Sequence, residues 1–290
     1  MRDNPKNDIK YNPARFFYKK KTFCLILIVL VFKAYSQKTE AIDSTRFRDV
    51  IKDLPSFTIY GDNYFITGTS TNEYPTSSTS DTKIQIGFKQ RITNNRLPWD
   101  THLFFTYKQK AFWDTYKESL PFRETNYNPG LAIAKPFFRN GKLGEIVMLQ
   151  YEHESNGRDL EHSRSWNYLS LYYMRYLTNN LTASIKIWMP IGSLIENPEI
   201  INYRGNQQLE FAFKINENII IDSEIRKTFK PDWKGSLLVG LNFRMSKKSN
   251  QFIYLQYYLG YSESLMDYNK DVQKLRIGIA FKDLFLKFRK

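Results

Sequence analysis

Residues 147–173 read VMLQYEHESNGRDLEHSRSWNYLSLYY. At its start Val147, Leu149 and Tyr151 alternate with Met148, Gln150 and Glu152. At its end Leu169, Leu171 and Tyr173 alternate with Ser170, Tyr172 and Met174. A period of two marks a strand with unlike faces, because successive side chains point to opposite sides. Gly157 and the polar residues around it supply the turn. The stretch therefore predicts two antiparallel strands joined by a polar loop.

The same period runs through most of the chain. It recurs in residues 82–91, 103–113, 183–189, 209–215, 219–226, 237–244, 253–259 and 275–281. With 57–67 and 126–136 this makes twelve strands, each about ten residues long, the length a membrane-crossing strand needs. In a soluble sandwich the charged face would meet solvent and the apolar face the core. In a membrane barrel the apolar face meets lipid and the charged face lines the interior. An export signal, the high strand count and Tyr, Trp and Phe near strand ends favour the barrel. The predicted fold is all-β, a twelve-stranded antiparallel transmembrane β-barrel, with Leu149, Leu171, Phe211 and Leu241 facing lipid. Asp283, Leu284 and Phe285 resemble the aromatic terminal strand of outer-membrane barrels, although five residues follow them.

Residues 1–36 read as a secretory signal peptide. Lys19, Lys20 and Lys21 precede an apolar run, 23–32, too short to cross a bilayer as a helix, which needs roughly 20 residues. Ala34 and Ser36 are the small residues that a signal peptidase reads. Residues 37–56 are polar and mildly helical, a periplasmic arm, and 57–290 form the barrel domain. The single cysteine, Cys24, falls within the apolar run, so disulfides and cysteine metal sites are excluded from the mature chain. The chain carries a formal charge of +14. Its basic residues are scattered singly rather than clustered, which fits anionic lipid head groups and argues against nucleic acid. The mean hydropathy of −0.52 argues against a helical membrane protein but not against a barrel.

Parity locates the chemistry. His153 and Ser155 belong to the apolar set of their strand, and Asn167 to that of the next. Residues i and i+2 share a face about 6.6 Å apart, within reach of an imidazole and a hydroxyl, and the adjacent strand lies about 5 Å away. Ser155 as nucleophile, His153 as base and Asn167 as orienting amide would then follow acyl-hydrolase logic. Polar groups on a lipid face are tolerated at the membrane edge, where these strands end. An outward nucleophile makes sense if the substrate is the membrane. Each residue alone has a plainer reading: a girdle histidine, a strand-end hydroxyl, a turn former. Gly157 can bring its backbone N–H close as an oxyanion donor. Asp159, Glu161 and Glu196 are oxygen ligands of the kind calcium prefers, or a solvated loop. His162 reads as a loop histidine and His102 as an interior one. Glu152 and Glu154 should pair with interior Arg or Lys. Gln109 shares parity with Leu103, Phe105 and Tyr107, so it faces lipid; its amide either finds a partner, such as a second glutamine across a two-fold axis, or is hydrated at the membrane interface.

The string H-x-S-N-G-R from His153, then S-R-S-W-N ending at Asn167, resembles the outer membrane phospholipase A family. PFRETNY at 121–127, ENP at 196–198 and GYSESLMDYN at 260–269 are similar to further segments of it, in the same order. The resemblance covers nearly all of the chain after about residue 57. It implies a calcium-dependent phospholipase A1/A2 with lysophospholipase activity, in the outer membrane of a Gram-negative bacterium. It also implies membrane phospholipids as substrate and a homodimer when active. Carried over by position, the Arg158 carbonyl and the Ser163 hydroxyl are calcium ligands, and Ser119 of the partner subunit donates a carbonyl. Glu196 falls in a loop that supplies carboxylates to the family's second calcium site, but Leu160 stands where an acid is expected. Gln109 matches a glutamine at the family's dimer interface. The competing reading is a non-enzymatic barrel, a pore or structural protein, which has no use for an outward triad.

Overall fold

The computed structural model describes residues 55–93, 97–139, 142–228, 230–232, 234–247 and 249–282. The expected signal peptide and nearly all of the expected arm, and the residues 283–285 of the expected terminal strand, lie outside these.

The strands are β1 (Phe57–Ile59), β2 (Asn63–Ser70), β3 (Ser80–Arg91), β4 (His102–Trp113), β5 (Phe122–Arg139), β6 (Lys142–Ser155) and β7 (Ser165–Tyr176). They continue as β8 (Leu181–Ile191), β9 (Gln207–Lys214), β10 (Ile219–Lys227), β11 (Gly235–Arg244), β12 (Gln251–Gly260) and β13 (Val272–Phe281). One short helix, α1 (Ile200–Arg204), sits between β8 and β9. From β3 to β13 each strand pairs antiparallel with the next, and β13 pairs with β2, which pairs with β3, so the sheet closes. β1 and β2 lie on successive stretches of the same edge of β3 and together make one stave. The ring therefore has twelve staves, as the period-two pattern predicts. Among the described residues only the three-residue β1 keeps an unpaired edge; every other strand is paired on both sides, as a lipid environment requires.

Leu149 and Leu171 lie opposite each other in the register and are 47% and 43% exposed. Phe65, Ile86, Leu131, Ile187, Ile277 and Ile279 extend the same apolar belt. Phe211 and Leu241 are half-exposed, and their strand neighbours Ala212 and Asn242 are buried, so they too point outward. Connections at one end, residues 71–79, 114–121, 156–164, 192–206, 228–234 and 261–271, are mostly long; at the other end those at 177–180, 215–218 and 245–250 are short and 92–101 is the longer exception. Outer-membrane barrels share this asymmetry, with the long loops outside the cell.

The interior is polar and paired. Glu152 meets Lys186 at 2.6 Å and Glu154 meets Arg204 at 2.9 Å, as their parity requires. Towards the long-loop end, Arg276 pairs with Asp81 at 2.7 Å and with Glu263 at 2.6 Å, and Lys83 pairs with Glu263 at 3.0 Å. A buried apolar cluster of Trp166, Tyr168, Trp188, Ile200, Leu265 and Tyr268 covers this end. Leu265 reaches it because the loop 261–271 folds inward, its backbone held by Asn126 Oδ1 on Leu265 N and Glu124 Oε1 on Met266 N. Below lies a cavity of about 490 Å³, lined by groups such as Lys108, Lys110, Lys186, Glu210 and Glu224. His102 is buried and lines this cavity, as its parity predicts.

Candidate active site on the barrel wall

β6 and β7 form a hairpin in which His153 stands directly opposite Asn167, and Ser155 opposite Ser165. The hydrogen bond from Asn156 N to the Arg164 carbonyl fixes the alternation, making His153 and Asn167 a pair without backbone hydrogen bonds between them. Side chains approach most closely at such pairs. His153 Nδ1 and Asn167 Oδ1 are 2.9 Å apart. With the amide oxygen accepting, Nδ1 carries the proton and Nε2 keeps a lone pair, the form needed in a general base. Ser155 lies two residues on, on the same face, between Tyr127 of β5 and Ser165 of β7. Its hydroxyl makes no hydrogen bond among the described residues, so the contact with His153 is open in this state. Such contacts commonly tighten only with substrate bound.

The loop after Ser155 is built around Asn156, which the sequence reading did not single out. Its Oδ1 accepts from Arg158 N at 3.2 Å and Arg164 N at 3.0 Å, and its Nδ2 donates to the His162 carbonyl at 2.9 Å. Asn156 is 4% exposed, with its main chain continuing the ladder and its side chain replacing the ladder beyond it. An Asn before Gly that bonds a backbone N–H two residues on is a turn signal visible in sequence. Gly157 has φ +65°, and a Cβ there would meet the Tyr127 ring at 3.0 Å. Both the left-handed backbone and the ring above it favour glycine.

Of the expected calcium ligands, the structure joins two. Ser163 Oγ donates to Glu196 Oε2 at 2.9 Å, linking the 156–164 and 192–206 loops. The Arg158 carbonyl accepts no hydrogen bond among the described residues. Ser119, exposed on the 114–121 loop, makes no hydrogen bond to them. Asp159, Glu161 and His162 are exposed loop residues and are not gathered with Glu196. No cluster of three or more His, Cys, Asp or Glu able to hold a metal occurs among the described residues. A hydroxyl, a carboxylate and a free carbonyl are nevertheless all oxygen donors, and that set fits calcium. Gln109 is outward on β4 and shares a cross-strand row with Tyr127 and Ser155. Its Oε1 already accepts the Tyr107 hydroxyl at 2.8 Å, so half of its amide is satisfied within its own chain.

A family model described as phospholipase A1 matches residues 43–281. This chain belongs to the phospholipase A1 family. The phospholipase A1 of Salmonella typhimurium is 33% identical over 211 residues, 71% of each chain. That of Escherichia coli K12 is 32% identical over 211 residues, again 71% of each. Among solved structures, outer membrane phospholipase A from Escherichia coli superposes with a TM-score of 0.70 at 28% identity, covering 80% of this chain and 100% of that one. A Salmonella typhi outer membrane phospholipase dimer with bound calcium gives 0.71 at 29% identity, covering 84% and 99%. Membership and fold together make this family member a phospholipase with the barrel of an outer-membrane protein.

Proposed function

We propose that this phospholipase is a calcium-dependent hydrolase of acyl esters in phospholipids and lysophospholipids, with both A1 and A2 specificity. Ser155, His153 and Asn167 are its triad. The observation that carries the reading is the 2.9 Å pair of His153 Nδ1 and Asn167 Oδ1 on the lipid-facing wall, with Ser155 on the same face. Ser155 Oγ attacks the ester carbonyl while His153 Nε2 takes its proton. The tetrahedral adduct collapses, the C–O bond to the glycerol oxygen breaks, and His153 returns the proton to that leaving alcohol. Water then loses a proton to His153 and attacks the acyl-serine, which releases the fatty acid and restores Ser155. Asn167 holds the ring in the correct tautomer throughout and transfers no proton. Gly157, left-handed and without a side chain, presents its N–H as an oxyanion donor.

Arg158 through its carbonyl, Ser163 and Glu196 would hold calcium, with Ser119 of the partner subunit completing the set. Bound there, the ion would supply positive charge that stabilises the oxyanion. The calcium-bound dimer of the Salmonella typhi relative supports both the metal and a homodimer as the active form. Gln109 would lie at that interface. The alternative of a pore is disfavoured by the ion pairs and the apolar cluster that fill the long-loop end. The test is fatty acid release from micellar phospholipid, and separately from lysophospholipid. Release that stops on chelation and returns with calcium supports the proposal; release indifferent to chelation removes the metal from it, and no release from either lipid sinks the activity.

A further inference from the structure

A proline interrupts the sheet beside His153. The pairing of β5 with β6 runs from Tyr127 opposite Ser155 to Gly130 opposite Glu152, so the register sets Asn128 opposite Glu154 and Pro129 opposite His153. Those two positions alone drop out of that stretch of ladder. Both depend on one hydrogen bond, from the N–H of residue 129 to the carbonyl of His153, and proline has no N–H. Proline within a closed sheet should therefore leave the His153 carbonyl without its donor. The structure supplies another. Asn128 Nδ2 donates to the His153 carbonyl at 2.8 Å. The same amide lies 3.3 Å from the Tyr168 hydroxyl, which donates to Glu152, itself paired with Lys186.

We infer that Asn128 is a positioning residue for the triad: it replaces the backbone donor that Pro129 lacks and locks the main chain of His153 from inside the barrel. His153 is then held twice. Asn167 orients its ring on the outer face, and Asn128 ties its carbonyl to the interior network. The arrangement also explains why Pro129 is tolerated in the row next to the reacting groups. It places a rigid, small ring between Tyr107 and His153 without costing the strand its geometry.

The inference rests on the triad reading, and one experiment separates them. Turnover, KM and the rate at which an alkyl sulfonyl fluoride labels Ser155 are measured for Ser155→Ala, Asn128→Ala, Pro129→Ala and the double variant Asn128→Ala/Pro129→Ala. Heat-modifiable gel migration reports the folded barrel. Asn128→Ala is expected to lower kcat and the labelling rate together by about 10- to 100-fold, with KM little changed, the size of effect that small misplacement of a reacting group produces. Pro129→Ala restores a backbone donor, so adding Asn128→Ala to it should cost little further. Wild-type kcat for Asn128→Ala, or an equal fall in both backgrounds, overturns the inference while Ser155→Ala remains inactive. An active Ser155→Ala variant overturns the triad and this inference with it. If Pro129→Ala does not fold, Asn128→Asp decides: it keeps the shape and removes the donor, and full turnover by it overturns the inference.

Discussion

Two groups of polar residues sit near the same end of the barrel, and they are treated in opposite ways. Inside, Asp81, Glu263, Arg276 and Lys83 are all buried, and every one is paired at 2.6–3.0 Å. Outside, His153, Ser155 and Asn167 are half-exposed on an apolar wall and share a single hydrogen bond. The inner set is saturated because an unpaired charge away from water is costly. The outer set keeps a lone pair and a hydroxyl uncommitted, as the proposed triad requires. Polarity that holds the fold is consumed by its partners; polarity proposed to do chemistry is kept available.

The sharpest way to break this contrast is Ser155→Ala. Hydrolysis should fall by about 10⁴-fold or more, as for removal of a nucleophile in other triads, while heat-modifiable migration stays that of the folded barrel. Near-normal fatty acid release by that variant would refute the assignment. Arg276→Ala should do the reverse. It removes the partner that Asp81 and Glu263 share, leaving Asp81 with Arg123 and Lys274 and Glu263 with Lys83, so the cost should stay below the roughly 3–5 kcal/mol of a fully unpaired buried charge, read as a lower denaturant midpoint in micelles. Specific activity per folded molecule should hold; an unchanged midpoint would show that the inner network carries no stability. Asn167→Ala should retain measurable turnover, lowered by at most about 100-fold, since it orients and does not react. A loss as deep as that of Ser155→Ala would mean that Asn167 does more. Gln109→Ala should be mildest. Polar contacts between membrane segments average about 0.6 kcal/mol, roughly threefold in association, so crosslinked dimer and calcium-stimulated activity should both drop slightly. Full activity in a preparation shown to be monomeric would remove pairing from the mechanism.

Much of this was legible in the sequence, for a specific reason. A strand's period of two assigns every residue to a face, so the outward placement of His153 and Ser155 followed once Val147, Leu149 and Tyr151 were recognised as apolar. The hairpin then brought Asn167 alongside. What escaped was whatever depends on contacts between distant segments or on main-chain partners. Ser163 and Glu196 are 33 residues apart and meet only because two loops lean together. Leu265 reads as a loop residue in GYSESLMDYN yet is fully buried against Trp166 and Trp188. Asn128 carries no signal of its own. Its importance comes from the proline after it and from the strand that the proline faces. Gln109 Oε1 also has a partner within its own chain, the Tyr107 hydroxyl, which parity alone did not indicate.

The outward face of the hairpin has a kinetic consequence. A lipid reaches Ser155 by diffusing in the plane of the membrane, so the variable that governs encounter is its mole fraction in the surface rather than its molarity in the sample. Diluting substrate with inert detergent at constant total lipid should therefore slow the reaction, whereas diluting the whole suspension with buffer should barely change the rate per enzyme molecule.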